Sequence, residues 1–178
     1  AVDPVGGPRN ANIGTIGGNV GDGVTGADSA ALLFPLNAVL DLTGPKGTRE
    51  IPVAEFYTGP GRTLREHAEI LTAIKITREN YRGFYGHYTK YGKRNAMEIV
   101  TLGCAVHVKL SADNMRMSEF RLGFGVAAPT PIRCFKTEET VKGMAVTDPE
   151  LYEKIQEGAV SEVTPRSSWR ASREFRLQ

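Results

Sequence analysis

Eight of the chain's 20 glycines fall within its first 26 residues, at Gly6, Gly7, Gly14, Gly17, Gly18, Gly21, Gly23 and Gly26. Glycine reaches φ > 0 without steric cost and lets the backbone approach a neighbour closely. The run from Gly14 to Gly26 leads into Ala27-Asp28-Ser29-Ala30-Ala31-Leu32-Leu33-Phe34. That second segment reads as a short helix, with Asp28 and Ser29 in its first turn and Pro35 stopping it. A glycine-dense loop entering a helix is either an irregular surface loop or a cradle for a phosphate-bearing cofactor. Gly21-Asp22-Gly23-Val24-Thr25-Gly26 matches G-x-G-x-x-G. A Rossmann site, however, needs a buried strand just ahead of the motif, and glycines interrupt Ile13 to Val20. The spacing is therefore read as coincidence.

Residues 1–26 are expected to be extended or looped. Leu36 to Thr43 and Thr48 to Val53 flank Gly44-Pro45-Lys46-Gly47, which predicts a β-hairpin. Residues 54–63 read as a loop and Glu69 to Ile76 as a strand. The composition changes near residue 77, and residues 77–83 read as a linker. Phe84 to Tyr91 is rich in aromatics. Glu98 to Leu110 predicts a strand that pairs with Met117 to Ala127, placing Phe120, Leu122, Phe124 and Val126 on one face. Pro129 and Pro131 are expected to end the sheet. Thr137 to Lys142 reads as a short helix. Asp148-Pro149-Glu150 predicts the start of a longer one, with Leu151, Ile155, Ala159 and Val163 on one face and Pro165 as its stop. Arg166 to Gln178 starts another. The fold class is α+β: a small α/β unit over residues 1–77, then an antiparallel sheet with helices over 78–178.

Forty per cent hydrophobic and 24% charged residues fit a globular chain. No apolar run approaches the roughly 18–20 residues that span a bilayer, so no membrane contact is expected. A net charge of +2 argues against nucleic acid. Cys104 and Cys134 fit reduced thiols in the cytoplasm better than a disulfide frame. His67, His87 and His107 are widely spaced and form no ligand set, so no metal site is expected; no catalytic side chain is assigned. The chain opens at Ala1 with no strand ahead of its glycines, and reads as a fragment or a processed chain.

Thr15-Ile16-Gly17-Gly18-Asn19 places a hydroxyl and a carboxamide beside two glycines, donors that suit phosphate or ribityl oxygens. Further along come Ala27-Asp28-Ser29, Phe56 to Thr63, Glu69-Ile70-Leu71, Tyr88-Thr89-Lys90, Phe124 to Arg133 and Arg170 to Arg176. This ordered set resembles the FAD-binding subunit of molybdenum hydroxylases, the xanthine dehydrogenase and carbon monoxide dehydrogenase flavoprotein family. Phe124 to Arg133 and Pro165 to Leu177 are most similar to its bacterial xanthine dehydrogenase branch. The resemblance implies the second of two subdomains that sandwich FAD (a PCMH-like α/β domain), followed by a carbon monoxide dehydrogenase flavoprotein C-terminal-like domain. The first subdomain and the last helix would be missing.

The resemblance also implies site roles. Thr15, Ile16, Gly17, Gly18 and Asn19 would meet the FAD diphosphate and ribityl chain. Asp28 would contact the adenosine side, Ile70 and Leu71 would pack near adenine or flavin, and Lys90 would approach the flavin. Asp22 would repel a diphosphate unless it meets a hydroxyl or a backbone N–H. The implied activity is an oxidoreductase subunit in purine oxidation. Molybdopterin and [2Fe-2S] clusters lie on partner subunits, and electrons pass through FAD to NAD+. A relative acting on carbon monoxide, nicotinate or an aromatic acyl-CoA, or a non-catalytic assembly module, remains open. Without its partner subdomain, the glycine loop is expected to be ordered but to hold no flavin.

Overall fold

A computed structural model describes residues 6–94 and 97–178. The expectation for residues 1–5 lies outside the described residues. The rest of the glycine-rich segment is largely helical, which corrects the expected loop. Helix α1 spans Pro8–Ile13 and α2 spans Ile16–Gly21. Glycine inside a helix costs roughly 0.5–1 kcal/mol relative to alanine, so local propensity alone would not form α2. Two features offset that cost. Thr15 caps the helix by accepting from Gly18 N at 2.9 Å, and Val20 is fully buried beneath it. Periodicity missed α2 because a single apolar anchor gives no repeat.

Helix α3, Asp28–Leu33, begins in the predicted place and buries Ala30, Ala31 and Leu33. The predicted hairpin forms from β1, Val39–Gly44, and β2, Gly47–Pro52. Gly47 adopts φ +108 at its turn, a region open to glycine. Residues expected to loop instead form α4, Val53–Phe56, and the two short strands β3, Tyr57–Gly59, and β4, Arg62–Thr63. Strand β5, Ile70–Lys75, pairs antiparallel with the free side of β1, giving the order β2-β1-β5. Leu40, Leu42, Val53 and Phe56 centre the core of this unit.

The β5 entry is pinned by charge. Arg49 grips the Glu69 carboxylate with two bonds, Nε to Oε1 at 2.6 Å and Nη2 to Oε2 at 2.8 Å, and Glu66 N adds a third at 2.7 Å. The Arg49 bond first, then the Glu66 N–H, hold the Glu69 carboxyl down at about 2, against an ordinary 4.5. A depressed carboxylate contributes stability above its unfolded pKa and loses it as pH falls through the folded one. Glu69→Gln should therefore be less stable than the parent at pH 7. The gap should close between pH of about 4.5 and 2 in a pH series of urea melts. A gap constant across that window would overturn this reading.

After a 3-10 turn at Arg78–Asn80, four strands form the second sheet. They are β6, Phe84–Tyr91, β7, Leu102–Leu110, β8, Met117–Gly125, and β9, Ile132–Arg133, all antiparallel in the order β6-β7-β8-β9. Residues 98–101 stay outside β7, so the strand is shorter than expected. The prolines do not end the sheet, because Ile132 pairs with Phe124 beyond them. Phe120, Leu122 and Phe124 face one core, as their alternation predicts. Val126 leaves that face, at φ +66 just past the strand.

Helices α5, Phe135–Val141, and α6, Leu151–Glu162, cover this face. Leu151, Ile155, Ala159 and Val163 point into it as predicted. Asp148 does not cap α6 directly; its Oδ1 accepts at 3.0 Å from the N–H of Glu150, which holds the N-cap position two residues later. Glu162 reaches back to the first turn of α5, accepting from Thr137 N at 2.7 Å. Helix α7, Arg173–Leu177, follows.

The other face of this sheet is built small. Gly123 and Gly125 alternate along β8 and Ala105 sits on β7, and α3 packs over them. A side chain on Gly123 would stand 2.8 Å from the Ala31 carbonyl and 2.7 Å from the Pro35 ring. Thr25 Oγ1 donates to Ala128 O at 3.1 Å, and Arg121 donates to Pro35 O at 3.1 Å. Arg133 bonds Asn37, which sits at φ 47. The two units thus meet along a polar seam with close backbone approach.

Candidate functional site

One cavity of about 550 Å³ opens along this seam. Asn19, Asp22, Asp28 and Lys90 line it, four of the residues the sequence singled out. They come from the end of α2, the start of α3 and the edge strand β6. Asn19 Oδ1 accepts from the Ser29 hydroxyl, which fixes the carboxamide against the first turn of α3. Asp22 is the C-cap of α2, at the opposite end from Thr15. Its N–H donates to Gly18 O at 3.0 Å, one turn of α2 beyond the capped end.

Asp28 and Lys90 form a buried ion pair, Oδ2 to Nζ at 2.9 Å, with side-chain exposures of 7% and 11%. Tyr88 donates to the other carboxylate oxygen at 2.6 Å. Asp28 and Lys90 thus line the cavity as one paired unit.

The other predicted residues lie away from this cavity. Thr15, Ile16, Gly17 and Gly18 form the cap and first turn of α2, where the early N–H groups have no intrahelical partner. Ile16 is 48% exposed and Ile70 69% exposed. Leu71 follows Ile70 on β5 and so faces the opposite way. It packs on the first core, and its Cδ2 is 3.9 Å from where a Gly17 side chain would begin.

The opposite wall was missed in the sequence. Arg166, Ser168, Arg170 and Arg176 line the same cavity from the chain's last segment. Arg176 is buried and donates to Thr101 O at 3.0 Å and to Ser168 Oγ at 3.0 Å. Burial first, then the charges of Arg166 and Arg170, pull its pKa down. Three arginines thus line the cavity together with Asp22, Asp28 and Glu98. The recurring arginines of the tail were the available signal, but a solvated helix face accounts for them equally well from sequence alone.

Among the described residues no group of three or more His, Cys, Asp or Glu is placed to hold a metal ion. Burial raises the Cys104 thiol to about 11 and the Cys134 thiol to about 12, which keeps both protonated near neutral pH. The G-x-G-x-x-G run spans the end of α2 and a turn at Gly23, φ +72, with no strand ahead of it.

The chain thus presents a glycine-rich helical turn and, apart from it, a charged cavity between an α/β unit and an antiparallel-sheet unit. Residues 1–78 match the FAD binding domain in molybdopterin dehydrogenase, and residues 87–178 match the CO dehydrogenase flavoprotein C-terminal domain. The chain belongs to this flavoprotein family. It is 45% identical over 177 residues to the xanthine dehydrogenase FAD-binding subunit of Escherichia coli, covering 99% of this chain and 60% of that one. It is 31% identical over 173 residues to the carbon monoxide dehydrogenase medium chain of Afipia carboxidovorans, covering 96% and 58%.

Its structure is similar to that of carbon monoxide dehydrogenase from Hydrogenophaga pseudoflava, at TM-score 0.88 and 28% identity, covering 98% of this chain and 59% of that one. The chain thus spans about three fifths of the length of these relatives. Among the described residues no helix is long and apolar enough to cross a membrane.

Proposed function

We propose that this chain is the flavin-holding part of a xanthine dehydrogenase-like molybdenum hydroxylase in the cytoplasm. One observation carries the reading: a single cavity gathers Asn19, Asp22, Asp28 and Lys90, which are scattered over three elements of the sequence. The residues present fit FAD. Gly17 and Gly18 put no side chain at the first turn of α2, so a diphosphate can reach the N–H groups of Ile16 and Gly17, while Gly18 N is held by Thr15 Oγ1. Arg166 and Arg170 supply cations for anionic ligand oxygens inside the cavity, and Lys90, paired with Asp28, adds its charge there. Asp28 supplies an acceptor for ligand N–H or O–H groups. Ile16 and Ile70 offer apolar surface to the adenine or flavin ring.

FAD supplies the redox chemistry; this chain binds and orients it and shields one side from water. Electrons would arrive from [2Fe-2S] clusters on a partner subunit, after a purine is oxidised at the molybdopterin of another, and leave to NAD+. A first FAD subdomain would complete the pocket.

The full-length protein with its partner subunits should show a flavin band at about 450 nm that NADH bleaches. A flavin-free complex would overturn the reading. A flavin band indifferent to NADH would overturn the NAD+ step alone.

A further inference from the structure

Tyr88 is given no site role in the sequence reading, yet it bonds across the seam at the cavity. Its hydroxyl donates to Asp28 Oδ1 at 2.6 Å, while Lys90 holds Oδ2 at 2.9 Å. Both donors stand two residues apart on β6, so they point to the same side of that strand. Asp28 belongs to the other unit. One strand of the sheet unit thus clamps both oxygens of a carboxylate that sits on the α/β unit and faces the cavity.

The clamp is built into the backbone beside it. Gly103 pairs with Lys90 in the sheet register. A side chain there would stand 2.9 Å from the Tyr88 hydroxyl and 3.5 Å from its ring. A side chain there would push the end of the phenol aside, and glycine avoids that contact. Burial, then Asp28, push the Tyr88 hydroxyl well above its ordinary range, so it remains a donor at any working pH. A carboxylate offers about four lone-pair sites. With one bond on each oxygen, its orientation is fixed and acceptor capacity remains.

We propose that Tyr88 is a positioning residue of the cofactor site. It fixes the Asp28 carboxylate as a preset acceptor for an N–H or O–H group of the flavin cofactor. The inference rests on the flavin reading above. It adds that the sheet unit sets the geometry of the acceptor carried by the α/β unit.

The test uses the full-length protein in complex with its partner subunits. Tyr88→Phe keeps the ring and removes the hydroxyl. A lost bond to a charged group predicts FAD binding weaker by about tenfold. The flavin midpoint potential should also fall, because the carboxylate left with one fewer donor repels the charge that reduction adds. Gly103→Ala, which displaces the same hydroxyl while retaining it, should move both readouts in the same direction.

A merely structural Tyr88 would lower the melting temperature of the cofactor-free complex and leave affinity and potential unchanged; that result overturns the proposal. A parent complex that never carries flavin overturns the flavin reading, and this proposal with it. A parent that carries flavin beside an unaltered Tyr88→Phe overturns this proposal alone.

Discussion

Replacing Glu138 with alanine should destabilise the protein by about 3–5 kcal/mol, the cost of breaking a buried ion pair from one side. Glu138 Oε1 accepts from Arg133 Nε at 2.7 Å and from Leu122 N at 2.9 Å, and its Oε2 meets Arg133 Nη2 at 2.7 Å. The two side chains are only 6% and 10% exposed. Alanine would strand a guanidinium and a backbone N–H in the second core together. The same arginine reaches Asn37 across the seam, so the loss spreads to the contact between units. For a chain of this size such a loss lowers the melting temperature by on the order of 10 °C. Thermal unfolding checks it, and a shift under about 2 °C would show that the pair contributes little.

Phe56→Ala should cost about as much, roughly 3–5 kcal/mol. Phe56 is fully buried and meets Tyr57 edge-on, with ring centroids 5.3 Å apart. Tyr57 in turn donates to Val20 O at 3.3 Å. The ring thus supports the anchor of α2, a helix that its own glycines disfavour. Hydrogen exchange should show α2 amides losing protection before those of the β1–β2 hairpin. Equal loss throughout would mean that α2 does not depend on Phe56. The first turn of α2 would loosen in this variant while the second core stays intact.

Much of the sheet architecture was legible. The β1–β2 hairpin, β5, the β7–β8 pair and the inward face of α6 all follow from alternation or four-residue recurrence. Of the residues found around the cavity, Asn19 was singled out by its own chemistry, Asp22, Asp28 and Lys90 with the family resemblance, and the arginine wall was not. Three other things were not legible. Helices α1 and α2 lacked an apolar repeat, so nothing in periodicity favoured helix there. Residues 53–63 fold into α4, β3 and β4 around buried Val53, Phe56 and Tyr57, three anchors that follow no repeating period. The seam was written in the face of β8 opposite to the one that drew attention. Phe120, Leu122 and Phe124 announced a core, while Gly123 and Gly125 between them announced the approach of α3. Reading the small residues of that strand with the same period would have located the interface, and with it the cavity.

The seam also sets an order of events in folding. Its bonds join residues far apart in the chain: Asp28 to Tyr88 across 60 positions, and Thr25 to Ala128 across 103. Closing loops of that length costs entropy before any bond offsets it. The β1–β2 hairpin, with a two-residue turn, carries almost no such cost. Each unit can therefore gather its own core first and dock last, so the cavity takes shape at the end of folding and opens first on unfolding. Any ligand that spans it binds only the docked form, and so holds the two halves of the chain together by mass action.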